Sequence, residues 1–204
     1  MKIFGVGMCK TGTVSLGRAF EILGYRHCHG SFITGNKLLY SYLSGDYGPI
    51  YDMIDGYDTF EDFPFCAAGA AEILDKKYPD AKFILTTRES GSWYHSMFRY
   101  LPNDLIDLRS RDGLPLGPYY GLTNYMLATF GSTDIKSNKE LFVKGYEQYN
   151  QRIKDLFEDR PEKLLVVCWM EGDGWAELCD FLDKPLPALN GFPRVNINGG
   201  HGIK

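Results

Sequence analysis

The chain has 204 residues, 44% hydrophobic and 24% charged, which suits one domain with a real core and excludes a disordered or low-complexity polymer. A formal net charge of -4 argues against a nucleic-acid binder, which needs a strong basic footprint, but leaves room for a local positive pocket around a small anion. No stretch approaches the ~20 apolar residues of a membrane span, and five cysteines without metal-ligand or Cys-x-x-Cys spacing predict reduced thiols in a cytoplasmic protein.

Lys2 to Val6 reads as a strand, so no signal peptide is expected there, since Lys10 breaks any apolar run. A small-residue loop, Gly7 to Thr13, follows. From Ser15 an apolar stripe at Leu16, Ala19, Phe20 and Leu23 has helical spacing. Tyr25 to Cys28 is a short strand, Asn36 to Ser44 a helix, and Thr59 to Glu61 a brief strand. Cys66 to Lys77 is a helix with Ala67, Ala70, Ala71 and Leu74 on one face. Lys82 to Thr87 is a strand, followed by a helix from Ser92 to Arg99. The longest helix, Lys139 to Phe157, buries Phe142, Tyr146, Tyr149, Ile153 and Leu156. Strand Leu164 to Cys168 and helix Trp175 to Leu182 close the order. Alternation of this kind predicts an α/β fold, a parallel β-sheet with helices on both faces, in which ligands bind at the carboxyl ends of strands.

The segment from Leu101 to Ser137 stands apart. Its density of Pro and Gly marks a long loop or inserted subdomain within a single domain spanning 1–204. A lid or acceptor-binding wall is one reading, with Tyr119, Tyr120, Leu122 and Tyr125 as lining residues. A surface excursion packed for stability is the other.

Strand, glycine-containing loop and helix together point successive backbone N–H groups at an anion, and the helix N-terminus adds partial positive charge there. Lys10 contributes a full charge. The spacing is not that of an ATP or GTP loop, because Lys10 follows Cys9 and Gly12 comes after the lysine. A Cys-x5-Arg phosphatase loop fails too, since Ser15 stands where arginine is required. No Asp follows an apolar strand in the manner of a magnesium site: Lys82 to Thr87 runs into Arg88, and Leu164 to Val167 into Cys168. No metal is expected.

Residues 10–16, Lys-Thr-Gly-Thr-Val-Ser-Leu, resemble the 5′-phosphosulfate loop of sulfotransferases that use 3′-phosphoadenosine-5′-phosphosulfate (PAPS). The family form has Thr where this chain has Val14, so a loop amide remains but one hydroxyl is lost. Sulfotransferases also place an arginine at a strand end and a serine eight positions later, both on the 3′-phosphate. Arg88 and Ser96 match that spacing, and guanidinium grips phosphate oxygens as a bidentate fork. The other reading of Arg88 is an ion pair with a surface carboxylate such as Glu89. Further segments, Asp58 to Pro64, Tyr78 to Leu85, Leu164 to Val167, Gly174 to Leu182 and Phe192 to Asn196, fall in the order of a compact branch of the P-loop sulfotransferases found in bacteria, fungi and animals.

The resemblance implies a P-loop NTPase-like three-layer sandwich. It implies that Lys10, Thr11, Gly12, Thr13, Val14 and Ser15 hold the 5′-phosphosulfate, that Arg88 and Ser96 hold the 3′-phosphate, and that PAPS is the co-substrate. Lys10 would steady charge on the bridging oxygen. The acceptor, a small molecule or glycan offering a hydroxyl or amine, needs a general base within hydrogen-bond reach. Asp62 is favoured, with Glu61 and His29 as alternatives; residues 61 and 62 on a strand would point to opposite faces. Asp62 as a carboxylate near the start of the Cys66 helix is the rival reading. His27 and His29 share a face but lack a third ligand. Cys9, just before a helix N-terminus, is a small loop residue or a thiol of lowered pKa. Arg194 and the terminal glycines offer a second grip on the 3′-phosphate. A kinase with a divergent loop and a non-catalytic nucleotide binder remain as alternatives, and the oligomeric state is open.

Overall fold

The computed structural model describes residues 1–28, 38, 41–101 and 120–195. Five parallel strands, β1 (Ile3–Gly5), β2 (His27–Cys28), β3 (Thr59–Phe60), β4 (Lys82–Thr86) and β5 (Leu164–Val167), form one sheet in the order β2-β3-β1-β4-β5. Ile3 on the central strand lies opposite Thr59 on one side and Lys82 on the other. The helices are α1 (Thr13–Ile22), α2 (Gly48–Asp55), α3 (Ala70–Lys77), α4 (Ser90–Tyr100), α5 (Tyr120–Phe130), α6 (Lys139–Leu156) and α7 (Trp175–Phe181).

Helices cover both faces, which is why β1 and β4 are apolar almost throughout. Successive side chains alternate between the two layers. Ile3, Ile84 and Val167 meet Leu16, Ala19 and Phe20 of α1 and Leu178 of α7. Phe4, Phe83 and Leu85 point the other way, into a larger core built from α2 to α6. Phe4 sits at its centre, with the rings of Phe60, Phe65, Tyr78 and Phe83 all within 5.8 Å between centroids. Each fully buried side chain of this size contributes roughly 1.5–3 kcal/mol by leaving water. The expected three-layer α/β sandwich is what these contacts build.

Several expected elements shift. The Cys66 helix starts only at Ala70, because Gly69 takes a left-handed φ of 86° that no continuous helix passes through. β3 ends at Phe60, so Glu61 and Asp62 lie beyond the strand. Helix α2 was not anticipated. It opens on Gly48-Pro49, and proline is tolerated in a first turn, where its missing N–H is no loss. Of the expected helix from Asn36 to Ser44, residues 38 and 41–44 are described and helical, and residues 36, 37, 39 and 40 lie outside the described residues.

The segment 101–137 is corrected in part. Residues 120–130 are not loop but helix α5, which sends Tyr125, Met126 and Phe130 into the large core. Tyr125 therefore does not line an open acceptor wall. It is 2% exposed, with its ring 4.8 Å from that of Phe63 and 6.2 Å from that of Phe130. Residues 102–119, with Tyr119, and the side chains of Tyr120 and Leu122 lie outside the described residues, so the lid or wall expectation for them falls there too. Among the described residues no helix is long and apolar enough to cross a membrane.

Candidate functional site

The chain goes from β1 through the other half of the sheet and returns to β4 on β1's opposite side. The carboxyl ends of β1 and β4 therefore flank the point where strand order reverses, which is where open α/β sheets bind ligands. Both predicted anion-binding segments start there.

After β1 the backbone turns through Gly7, packed so closely on Thr86 that an added β-carbon would stand 2.0 Å from Oγ1 and 2.5 Å from the carbonyl oxygen. Lys10 adopts a left-handed φ of 72°, uncommon for a side-chain-bearing residue, and Gly12 one of 98°. Thr11 pins the curve: its hydroxyl donates to the Met8 carbonyl at 2.6 Å and pairs with Thr86 Oγ1 at 2.6 Å. From the other side Trp93 Nε1 donates to the Cys9 carbonyl at 3.1 Å.

Helix α1 then begins at Thr13 with Gly12 as N-cap. It has no side-chain cap and no acidic residue in its first turn. The first helical bond runs from Leu16 N to Gly12 O at 3.1 Å. The N–H groups of Thr13, Val14 and Ser15 find no backbone acceptor among the described residues, so three donors converge on the mouth of the loop. Val14, where the family threonine would stand, is 42% exposed. Ser15 Oγ accepts from Val195 N at 3.1 Å, which brings the C-terminal segment, with exposed Arg194, against this turn. The glycines at 199–202 lie outside the described residues.

The Lys10 side chain is half-buried, with Nζ 4.4 Å from the centre of the Tyr100 ring. Its backbone oxygen accepts from Arg88 Nη1 at 3.5 Å, so the two segments are tied together. Arg88 itself is fixed at both ends of its peptide. Its N–H donates to Tyr146 Oη at 2.9 Å, and that hydroxyl donates to the Arg88 carbonyl at 3.0 Å. Tyr146 stacks on Trp93 at 4.3 Å. Arg88 Nε donates to Ser92 Oγ at 2.9 Å. Ser96 lies one turn further along the same face of α4, half-buried, so the serine in contact with Arg88 is Ser92 and not Ser96. The ion pair with Glu89 does not form. Glu89 caps α4 instead, accepting from Gly91 N at 2.7 Å and Ser92 N at 2.6 Å, and these two bonds hold its carboxyl below the ordinary value.

The two carboxylates after β3 differ in surroundings. Asp62 takes a left-handed φ of 64°, accepts from Phe63 N at 3.0 Å, and lies near Cys66 Sγ at 3.9 Å. Partial burial raises its pKa, while the Phe63 N–H and the Lys10 charge pull it down. Glu61 is buried against α1 beside Thr13; burial first, and Asp62 second, push it up to about 8. Asp62 is thus the carboxylate that shares space with Lys10. His29 lies outside the described residues. The Cys9 thiol is buried beside Met97 Sδ at 3.5 Å, and desolvation drives its pKa up, which corrects the expectation of a lowered value.

One site residue escaped the sequence reading. Trp169, just after β5, covers Gly12, and an added β-carbon on that glycine would stand 2.5 Å from indole Cδ1. Its buried Nε1 has no hydrogen-bond partner among the described residues. Phe192 stacks on the same indole at 4.2 Å. The available signal was a tryptophan immediately beyond an apolar strand run, a third strand end beside the loop.

With this geometry in view, comparison with known proteins is direct. A sulfotransferase domain family matches residues 2–201. The chain is 30% identical over 223 residues to Ava biosynthesis cluster protein M of Aspergillus versicolor, covering 98% of this chain and 83% of that protein. A match across nearly the whole length places the chain in the sulfotransferase domain family.

Proposed function

We propose that this protein transfers a sulfuryl group from PAPS to the hydroxyl or amine of a small-molecule or glycan acceptor. The observation that carries the reading is the open first turn of α1. Three backbone donors without acceptors among the described residues, an uncapped helix start and the Lys10 charge converge where the sheet's strand order reverses. A phosphosulfate group fits that donor set, and the orphaned Trp169 Nε1 beside Gly12 adds a further donor.

When bound, PAPS supplies an activated sulfuryl group on a phosphate leaving group. The residues of this chain do the rest by positioning and charge. Thr11 and Thr86 fix the loop so that the amides of Thr13 to Ser15 point outward. Lys10 steadies negative charge developing at the bridging oxygen. Arg88, held by Tyr146 and Ser92, presents its guanidinium to the 3′-phosphate, with Ser96 one turn on. Asp62, half-open and near Lys10, accepts the proton of the acceptor.

The test is release of 3′-phosphoadenosine-5′-phosphate (PAP) from PAPS against a panel of alcohols, phenols and amines. Acceptor-dependent release that is lost in Asp62→Asn supports the reading. Nucleotide binding without release with any acceptor makes the protein a binder, and turnover of ATP with magnesium makes it a kinase.

A further inference from the structure

Glu61 sits in a closed space between the sheet and α1, 5% exposed. An added β-carbon on Gly5 would stand 3.2 Å from its Cβ, so β1 leaves it no slack. Thr13, the first residue of α1, lies beside its carboxyl. His27 of β2 faces it, with Nε2 4.0 Å from Oε1, and that ring is fixed by an Nδ1 to Thr59 Oγ1 contact of 3.0 Å. Gly17 closes the space from above, since a β-carbon there would stand 2.6 Å from His27 Nε2. The other carboxyl oxygen, Glu61 Oε2, is buried with no hydrogen-bond partner among the described residues.

Asp62 is the next residue, and two adjoining carboxyls, one buried and one half-buried, resist ionising together. The one with donors takes the charge. Asp62 has the Phe63 N–H and the Lys10 field, whereas Glu61 has an oxygen without a donor. A neutral acid tolerates that position far better than a carboxylate. We propose that Glu61 is a positioning residue that works in its neutral form: it fills the space under the first turn of α1 beside Thr13 without setting a negative charge beneath the anion-binding loop, and its ionisation weakens anion binding there.

The groups facing Glu61 are Asp62, His27 and Cys28 of β2, and Cys66 before α3, with Lys10 and Cys9 across Asp62. Burial raises all three thiols, so they stay neutral while Glu61 titrates near 8. As Glu61 ionises, the site gains a further negative charge.

Calorimetric titration with PAP at pH 7 and pH 9, on wild type and Glu61→Gln, reads this directly. The nucleotide arm rests on the cofactor reading above. Wild-type affinity is expected to fall about tenfold across the interval, by linkage between anion and proton binding. Glu61→Gln should fall less than about twofold. An equal fall in both proteins, or no fall in wild type, overturns the proposal.

Unfolding by urea between pH 4 and pH 9 tests the same point without nucleotide. The folded pKa of Glu61 lies above its ordinary 4.5, so its contribution is complete below 4.5 and is lost as pH rises to about 8. Glu61→Gln should therefore gain stability relative to wild type across that window. A pH-independent difference overturns the proposal, as would a Glu61 already ionised at pH 7 against a charged His27. Failure of PAP to bind at any pH rejects the cofactor reading and leaves Glu61 to be judged by unfolding. Should Glu61→Gln not fold, carbon-13 NMR titration of the wild-type carboxyls decides: a glutamate midpoint near 8 supports the proposal, and all glutamates titrating below pH 6 refutes it.

Discussion

Helices α1 and α4 both leave the carboxyl end of the sheet, one after β1 and the other after β4, yet their first turns are built in opposite ways. α4 is closed by its own carboxylate, because Glu89 accepts from two of its free amides. α1 has a glycine at its N-cap, no acidic residue in its first turn and amides left without acceptors. A helix start carries about half a positive charge. α4 uses that field on an internal cap, which leaves the Arg88 side chain, and not the backbone, as the group offered after β4 in the proposed cofactor reading. The field of α1 is not used by a cap of its own. The two strand ends are joined by the contact between Arg88 and the Lys10 carbonyl.

The largest expected effect comes from removing the charge over the open turn. Lys10→Met should lower kcat by about 10²–10³-fold, the range for losing one preorganised transition-state donor, with little change in the urea midpoint. Steady-state PAP release measures it. Next comes the side-chain site: Arg88→Ala should weaken PAP roughly 10–100-fold and leave 5′-AMP nearly unchanged, as expected for loss of a charge-assisted phosphate contact. Equal losses for both nucleotides would mean that Arg88 acts by bracing the Lys10 carbonyl. A smaller change makes α1 more like α4. Val14→Asp places an acid on the exposed part of the open turn, and should weaken PAP about two- to fivefold at low salt while leaving the fold as stable or more so. The least effect belongs to Glu89→Gln. The cap keeps the Glu89 pKa below its ordinary 4.5, so its contribution is present above 4.5 and is lost as pH falls. The variant's urea midpoint should lie slightly below wild type at pH 7 and meet it in acid.

What was legible in the sequence follows from the same contrast. Lys10, Gly12 and Arg88 stood out because a glycine loop between strand and helix and an arginine at a strand end are local patterns, and the structure places both at neighbouring strand ends. The sheet was readable because β1 and β4 are short apolar runs covered on both faces. Helix α5 was hidden because its sequence, Tyr-Gly-Leu-Thr-Asn-Tyr-Met-Leu-Ala-Thr-Phe, is apolar around most of its circumference and shows no single stripe. Strand alternation placed Glu61 and Asp62 on opposite faces, yet β3 ends before either residue. Their difference comes from tertiary burial under α1 and from the left-handed turn at Asp62. Ser92 was missed as the partner of Arg88 because the family spacing points to position 96, and Trp169 as the cover of Gly12 because that contact depends on two strand ends meeting rather than on spacing.

The most direct measurement is a calorimetric comparison of PAP, 5′-AMP and ATP with magnesium as ligands of the wild-type protein. The account predicts that PAP binds well above the other two, with a preference that depends on the 3′-phosphate and is lost in Arg88→Ala. Equal binding of PAP and 5′-AMP, or preferential binding of ATP with magnesium, would contradict it.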